Sequence, residues 1–320
     1  MKIVYTGEMD PRAAKSIIVE YVPQMLESDP DLIWLDADLE SCSGINKYGH
    51  DHPDRVIECG IAEANMMGVA GGLAASGFKP IAHSFGPFAS RRCFDQIFLS
   101  GGYAKNDITV IGTDPGVTAT MNGGTHMPFE DVALYRVIPG STVIEPSDPN
   151  CFISVLKQVS ALPGIKYIRI GRKQLAKIYA DGTEMTIGKA VTLREGTDAV
   201  VFAAGIMLHE ALQAAAQLDK EGISVAVVDM FTIKPIDAQA VIDWSRKTGA
   251  VVVAENANRH GGLYSAVLEV LAENCPTPAA NVSVEDEFGE VGDQAYLQKR
   301  FGLTAEHIVS QVKAVIKRKK

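Results

Sequence analysis

The chain alternates short, continuous apolar runs with longer stretches whose apolar residues recur at three and four positions. A helical pattern over residues 12–27 leads into the run Leu32-Ile33-Trp34-Leu35. Residues 63–75 are spaced as a helix, Pro80-Ile81-Ala82 reads as strand, and 90–104 as a further helix. Ile108-Thr109-Val110-Ile111 is the strongest strand signal; Val143-Ile144 and Tyr167-Ile168-Arg169-Ile170 flank a helix near 150–160. Apolar strands of this kind, separated by helices, predict a parallel sheet covered by helices.

Beyond Gly171 the pattern loosens. Residues 173–197 are polar and carry Gly182, Gly188 and Gly196, which predicts a linker with short hairpin-like pieces. Alternation then resumes: Ala199-Val200-Val201-Phe202 as strand, 208–218 as helix, Val225-Ala226-Val227-Val228 as strand, 238–246 as helix, 250–254 as strand, 263–273 as helix. An amphipathic helix over 304–317 closes the chain. The expected architecture is α/β, with domains at 1–175 and 190–320 joined by a linker at 176–189.

Length and composition fit that picture. At 320 residues with 47% apolar residues, two cores are possible and disorder is excluded. A net charge of -9 argues against a general nucleic-acid surface; the basic tail Lys317-Arg318-Lys319-Lys320 reads as solvated cations at a helix end. Cys42, Cys59, Cys93, Cys151 and Cys275 are scattered, odd in number and without a C-x-x-C pair, which predicts reduced thiols and a cytoplasmic setting. The start carries no signal-peptide pattern, and the apolar stretch 69–75 is too short to span a bilayer, so no membrane role is expected.

Chemistry concentrates in three segments. In Gly60-Ile61-Ala62-Glu63-Ala64-Asn65-Met66-Met67-Gly68 a glutamate opens a helix of small and apolar residues, with no basic residue nearby in sequence. A carboxyl buried without a cation has a raised pKa and can share a proton with a ring nitrogen; it can equally serve the first turn of the helix. Ser84-Phe85-Gly86-Pro87-Phe88 follows a predicted strand, where α/β proteins bind ligands, and Phe85 and Phe88 either hold a flat ring or fill the core. The glycine-rich loop 112–126 ends at His126, which is either structural or a proton carrier beside a substrate oxygen.

These segments resemble the transketolases. The nonamer around Glu63 resembles the signature of the pyrimidine-binding domain of thiamine-diphosphate enzymes, and Arg92-Cys93-Phe94-Asp95-Gln96-Ile97 also looks like that family. The loop to His126 is similar to the transketolase substrate loop. So are its flanks Lys105-Asn106-Asp107-Ile108, Glu130-Asp131-Val132-Ala133 and Arg136-Val137-Ile138-Pro139-Gly140. In the second half, 198–211, Phe231-Thr232-Ile233-Lys234-Pro235-Ile236-Asp237 and Gly261-Gly262-Leu263 agree; Glu255 ahead of the glycine pair is shared more widely. The resemblance covers nearly the whole chain. It implies a pyrimidine-binding domain followed by a smaller transketolase C-terminal domain.

The resemblance also implies roles. Glu63 would meet the aminopyrimidine of thiamine diphosphate and promote the reactive carbanion, Phe85 and Phe88 would flank that ring, and Asp38 would orient the cofactor. His126 would sit near the substrate's carbonyl end, with Arg12 and Arg172 gripping a distal sugar phosphate. Each of Asp38, Arg12 and Arg172 reads equally as a solvated charge when taken alone. Three departures stand out: Asp114 where the family commonly has histidine, Cys42 where it has serine, and Asn122 where it has aspartate. A carboxylate 4 Å from a substrate anion costs about 4 kcal/mol per charge pair at an effective dielectric of 20, so an atypical anionic sugar, phosphate or sulfonate, is expected.

The family binds the diphosphate through Mg²⁺ on a G-D-G segment with a downstream N-N pair. Here no G-D-G occurs, and Ala180-Asp181-Gly182 has no N-N pair after it. No metal ligands are therefore expected in this chain. The resemblance points to the small subunit of a split transketolase, with Mg²⁺ held mainly by a larger partner subunit in a two-plus-two heterotetramer. The neighbouring alternatives are the beta subunit of a 2-oxoacid dehydrogenase, a deoxyxylulose-phosphate synthase fragment, and a non-catalytic regulatory subunit.

Overall fold

A computed structural model describes residues 2–319; Met1, and Lys320 of the basic tail, lie outside the described residues. Fourteen strands are formed among them: β1 (Met9–Ala13), β2 (Leu32–Asp36), β3 (Val56–Glu58), β4 (Lys79–Phe85), β5 (Ile108–Thr113), β6 (Thr142–Ile144), β7 (Ile165–Ile170), β8 (Gln174–Ala176), β9 (Val191–Arg194), β10 (Ala199–Ala203), β11 (Val225–Asp229), β12 (Thr232–Lys234), β13 (Val251–Asn258) and β14 (Ala279–Val284).

They build a seven-stranded sheet of order β12-β6-β7-β5-β4-β2-β3, a five-stranded sheet of order β14-β13-β10-β11-β9, and a β1-β8 ribbon. In the larger sheet β2 to β7 run parallel and only β12 is antiparallel. Strands such as LIWLD and AVVFA are buried along their whole length because helices cover both faces. The helix Glu63–Ala75 packs Met66, Met67, Ala70 and Gly71 inward.

One expectation is corrected and two are extended. Residues 90–104 are not one regular helix: Arg91–Cys93 is a 3₁₀ turn, Phe94–Gln96 a single α turn, and Ile97–Tyr103 a π-helix. Gly101 and Gly102 sit there against Ile165, Ile108 and Ile138, where side chains would collide, and the wider turn accommodates that approach. The stretch 173–197, expected as a linker with short hairpin-like pieces, is packed against the body of the protein. β8 pairs with β1, Ile178, Tyr179 and Met185 are buried, and Asp148 accepts from the Ile178 and Tyr179 amides at 3.0 and 2.8 Å. Finally, β12 crosses from the second half into the first sheet, beside β6, so the two α/β units share a strand.

A buried polar seam reinforces that junction. Arg169, fully buried, donates to Asp131 at 2.9 and 3.1 Å, to Glu145 at 2.8 Å and to the Asn256 carbonyl at 3.1 Å. Burial opposes its charge, but Asp131 and Glu145 outweigh it, and the arginine pKa ends raised. Tyr179 and Ser147 donate to Asp229 at 2.6 and 2.8 Å across the same junction.

Candidate active site

Nearly all the candidate residues hang from one edge of the large sheet. Asp38 and Cys42 follow β2, Glu63 follows β3, Phe85 and Phe88 close or follow β4, Asp114, Asn122 and His126 follow β5, and Arg172 follows β7. The carboxyl edge of parallel strands is where backbone donors and splayed loops leave room for a ligand. Arg12 is the exception. It lies in β1, outside that sheet, and donates to Asp10 at 2.9 and 2.8 Å, to Asn150 at 3.1 Å and to Asp181 at 3.3 Å. Its guanidinium faces a separate groove with Tyr21, Lys157 and Glu184.

Glu63 is 2% exposed. The expectation that it has no cation is corrected: Arg92 donates to its Oε1 at 2.8 Å, across 29 residues of sequence. The same guanidinium stacks on Phe88, 3.7 Å from the ring centroid. Phe88 meets His126 edge-on at 5.0 Å between centroids, and Phe85 meets both at 6.3 and 6.1 Å. Arg172 lies over Phe85 at 4.6 Å. The arrangement is an aromatic floor with a buried carboxyl at one end and a cation at the other. His126 is half-exposed and its Nδ1 lies 2.9 Å from Thr125 Oγ1. Ser84, just before Phe85, keeps a buried Oγ with no protein partner. A buried carboxyl, a floor of tilted and edge-on aromatic rings and an unpaired hydroxyl fit a flat, polar heterocycle such as an aminopyrimidine.

The departure at Asp114 also changes meaning. Arg172 donates to Asp114 through Nε at 2.8 Å and through its backbone amide at 3.0 Å, and the ion pair closes to 2.6 Å. The carboxylate is thus answered within the chain, and the expected repulsion of about 4 kcal/mol toward a ligand anion does not stand unopposed. Burial lowers the Arg172 pKa, Asp114 and then the nearby Cys42 raise it, and the net shift is upward. Asp38 is exposed at φ 57°, and only its amide is bonded, to Glu58 at 2.7 Å. Asn122 is exposed at the end of the 3₁₀ turn Gly116–Asn122.

Several residues act behind these and were not legible in the sequence. Asp36 is buried and gathers Trp34 Nε1 at 3.2 Å, Ser43 Oγ at 3.2 Å, His83 Nδ1 at 2.9 Å and the Ala37 and Leu39 amides. His83 Nε2 reaches Thr113 at 3.2 Å, so the network ties the ends of β2, β4 and β5 together. Asn256 on β13 accepts from the Val117 amide at 3.0 Å and donates to the Pro115 carbonyl at 2.9 Å. The second unit thereby pins the loop that carries His126. Gly116 has φ +52° and a Cβ there would run into Asn256. Glu255 is explained too: it accepts from Leu263 and Tyr264 at 2.7 and 2.9 Å, and burial raises its pKa to about 7. Burial and then Glu63 push the Cys93 thiol to about 12, so it is inert. Among the described residues no group of three or more His, Cys, Asp or Glu is placed to hold a metal.

Residues 11–177 match the family described as the transketolase pyrimidine binding domain, and residues 188–308 the transketolase C-terminal domain. The chain belongs to the transketolase family. It is 48% identical over 302 residues to the 6-deoxy-6-sulfo-D-fructose transketolase subunit SqwH of Clostridium sp. (strain MSTE9), covering 93% of this chain and 94% of that one. It is 30% identical over 307 residues to a subunit of the apulose-4-phosphate transketolase of Phocaeicola vulgatus, covering 96% and 98%. Among solved structures, a split gene transketolase, described as an inactive beta4 tetramer, superposes with a TM-score of 0.88 at 36% identity, covering 96% of this chain and 99% of that one. This transketolase-family chain therefore has the pyrimidine-binding and C-terminal parts of the fold, in that order.

Proposed function

We propose that this chain is the small subunit of a split transketolase, which transfers a two-carbon ketol unit from an anionic ketose to an aldose. The observation that carries the reading is the set Glu63, Phe85, Phe88 and His126, gathered on one sheet edge with the aromatic rings in mutual contact. The subunit names of the relatives support it. Thiamine diphosphate, when bound, supplies the nucleophile and electron sink for the transfer. Glu63 holds the pyrimidine end and exchanges a proton with it, in place of its bond to Arg92. Phe85 and Phe88 keep the ring dry and flat, and Asp38 lies at the mouth of the same edge. His126 donates to the oxygen of the ketose carbonyl as charge develops there.

The diphosphate end needs a divalent cation or many donors. We place the Mg²⁺ in a larger partner subunit that carries the diphosphate domain. The surface beside Glu63 suits such a partner: Ile61 is 74% exposed and Tyr103 81%, Leu99 is exposed, and Gly68 and Gly72 leave the outer face of the Glu63–Ala75 helix open for close packing. A two-plus-two heterotetramer in the cytoplasm completes the reading, and five free cysteines accord with that compartment. Among the described residues no helix is long and apolar enough to cross a membrane.

The test is reconstitution. The chain, the partner subunit, thiamine diphosphate and Mg²⁺ are incubated with 6-deoxy-6-sulfo-D-fructose and an aldose acceptor, and both sugar products are followed by mass spectrometry. Two-carbon transfer is expected. Release of carbon dioxide from pyruvate without ketol transfer would contradict it.

A further inference from the structure

The Cys42 end of this sheet edge carries a cation that nothing above assigns. Lys15, at the start of the helix Ala14–Ser28, donates through Nζ to the Ser41 carbonyl at 2.6 Å, the residue before Cys42. Its backbone amide lies 3.4 Å from the Arg172 carbonyl. Lys15 therefore stands on the Cys42 side of Arg172, whose guanidinium covers Phe85. Among the described residues Lys15 has no acidic partner, and two of its three ammonium protons remain free. Arg12, the other expected cation, is committed to Asp10, and Lys173 turns to Thr120 at 3.4 Å.

We infer that Lys15 and the Asp114-paired Arg172 form the grip for the ketose's distal anion, and that Asp114 tunes this grip toward a singly charged group such as a sulfonate over a dianionic phosphate. The inference rests on the transketolase reading and specifies its substrate class. The charge count carries it: Lys15 and Arg172 contribute two positive charges and Asp114 removes one, leaving one positive charge for the ligand. A monoanion is balanced by that charge, whereas a dianion leaves one negative charge facing Asp114 across Arg172. Arg172 still offers Nη1, and the lysine ammonium meets a tetrahedral group without needing a planar fork. Cys42 lines the same end with a weak donor, which suits the poorly basic oxygens of a sulfonate.

The experiment uses the reconstituted two-subunit enzyme with three ketohexoses: a C6 sulfonate, a C6 phosphate and unsubstituted D-fructose. Lys15→Met should raise KM for the sulfonate at least 10-fold, with kcat within 2-fold and KM for D-fructose within 2-fold. Lys15→Arg should recover most of the lost affinity. Asp114→Asn should raise the phosphate-to-sulfonate ratio of kcat/KM at least 10-fold. Urea midpoints and gel filtration of each variant establish that it is folded and assembled. An unchanged sulfonate KM in Lys15→Met overturns the inference, as does an equal rise for D-fructose or an unmoved ratio in Asp114→Asn. If the wild-type mixture turns over no ketose, the proposed function fails and this inference falls with it; turnover with unmoved selectivity sinks the inference alone.

Discussion

Replacing Asn256 by alanine tests whether the second α/β unit holds the His126 loop in working position. The Asn256 side chain is fully buried and makes two bonds to the loop, accepting from Val117 at 3.0 Å and donating to Pro115 at 2.9 Å. Alanine removes both partners and leaves a buried N–H and a buried carbonyl unsatisfied. Each orphan costs about 1–3 kcal/mol, so the loop's docking weakens by about 2–6 kcal/mol in total. Each 1.36 kcal/mol that reaches the transition state is about tenfold in rate, so kcat should fall at least ~10-fold even where only part of the loss does. Urea unfolding followed by the fluorescence of buried Trp34, together with steady-state kinetics of the reconstituted enzyme, separates stability from rate. The exposed His260→Ala serves as a control, expected within about 0.5 kcal/mol of wild type. Asn256→Ala with wild-type kcat and an unshifted urea midpoint would refute the reasoning.

Arg169→Met should cost about 3–5 kcal/mol in urea unfolding, because Asp131 and Glu145 are left as buried charges without a cation; adding Glu145→Gln should recover part of it. Asp229 and Glu255 are fully buried and burial raises each to about 7. Both bind a proton more tightly folded than unfolded, so their contribution is full below about pH 4 and is lost as pH rises through about 7, on the order of 4 kcal/mol for Asp229 and about 3 kcal/mol for Glu255. Asp229→Asn should flatten the urea midpoint between about pH 5 and pH 8; a slope equal to wild type would contradict that. Gly124→Ala would press a methyl into the Gly289 backbone and shift the His126 loop, so thermal unfolding should drop by the equivalent of about 1–3 kcal/mol with a parallel loss of kcat.

How far the site could be read from sequence depended on the range of the interactions. Glu63, Phe85, Phe88, His126 and Arg172 each follow a strand whose apolar run is visible locally, and the rule that ligands gather at carboxyl edges needs no tertiary knowledge. Partnerships across 29 or 58 residues carry no such local signal. Hence Arg92 beside Glu63, the Asp114–Arg172 pair and the turning of Arg12 toward Asn150 and Asp181 emerged only in three dimensions. The same holds for the fold. Helix Glu63–Ala75 was legible from its spacing, whereas the π-helix Ile97–Tyr103 depends on where Gly101 and Gly102 meet other strands. The segment holding β12 stands out in the sequence only for its family resemblance, and its place beside β6 is set by long-range pairing. Asp36 and His83 carry no local signal at all; their bond at 2.9 Å joins two neighbouring strands.

The central claim is that a buried carboxylate on this chain works on a cofactor whose diphosphate end is held by another chain. The direct measurement is ketol transfer by three preparations: this chain with its partner, this chain alone, and Glu63→Gln with the partner, each checked for assembly by sedimentation. Transfer is expected only in the first, with the Glu63→Gln complex intact but slower by roughly 10³-fold or more, an amount typical for a catalytic proton carrier. Wild-type turnover by Glu63→Gln, or full turnover by this chain in isolation, would contradict the account.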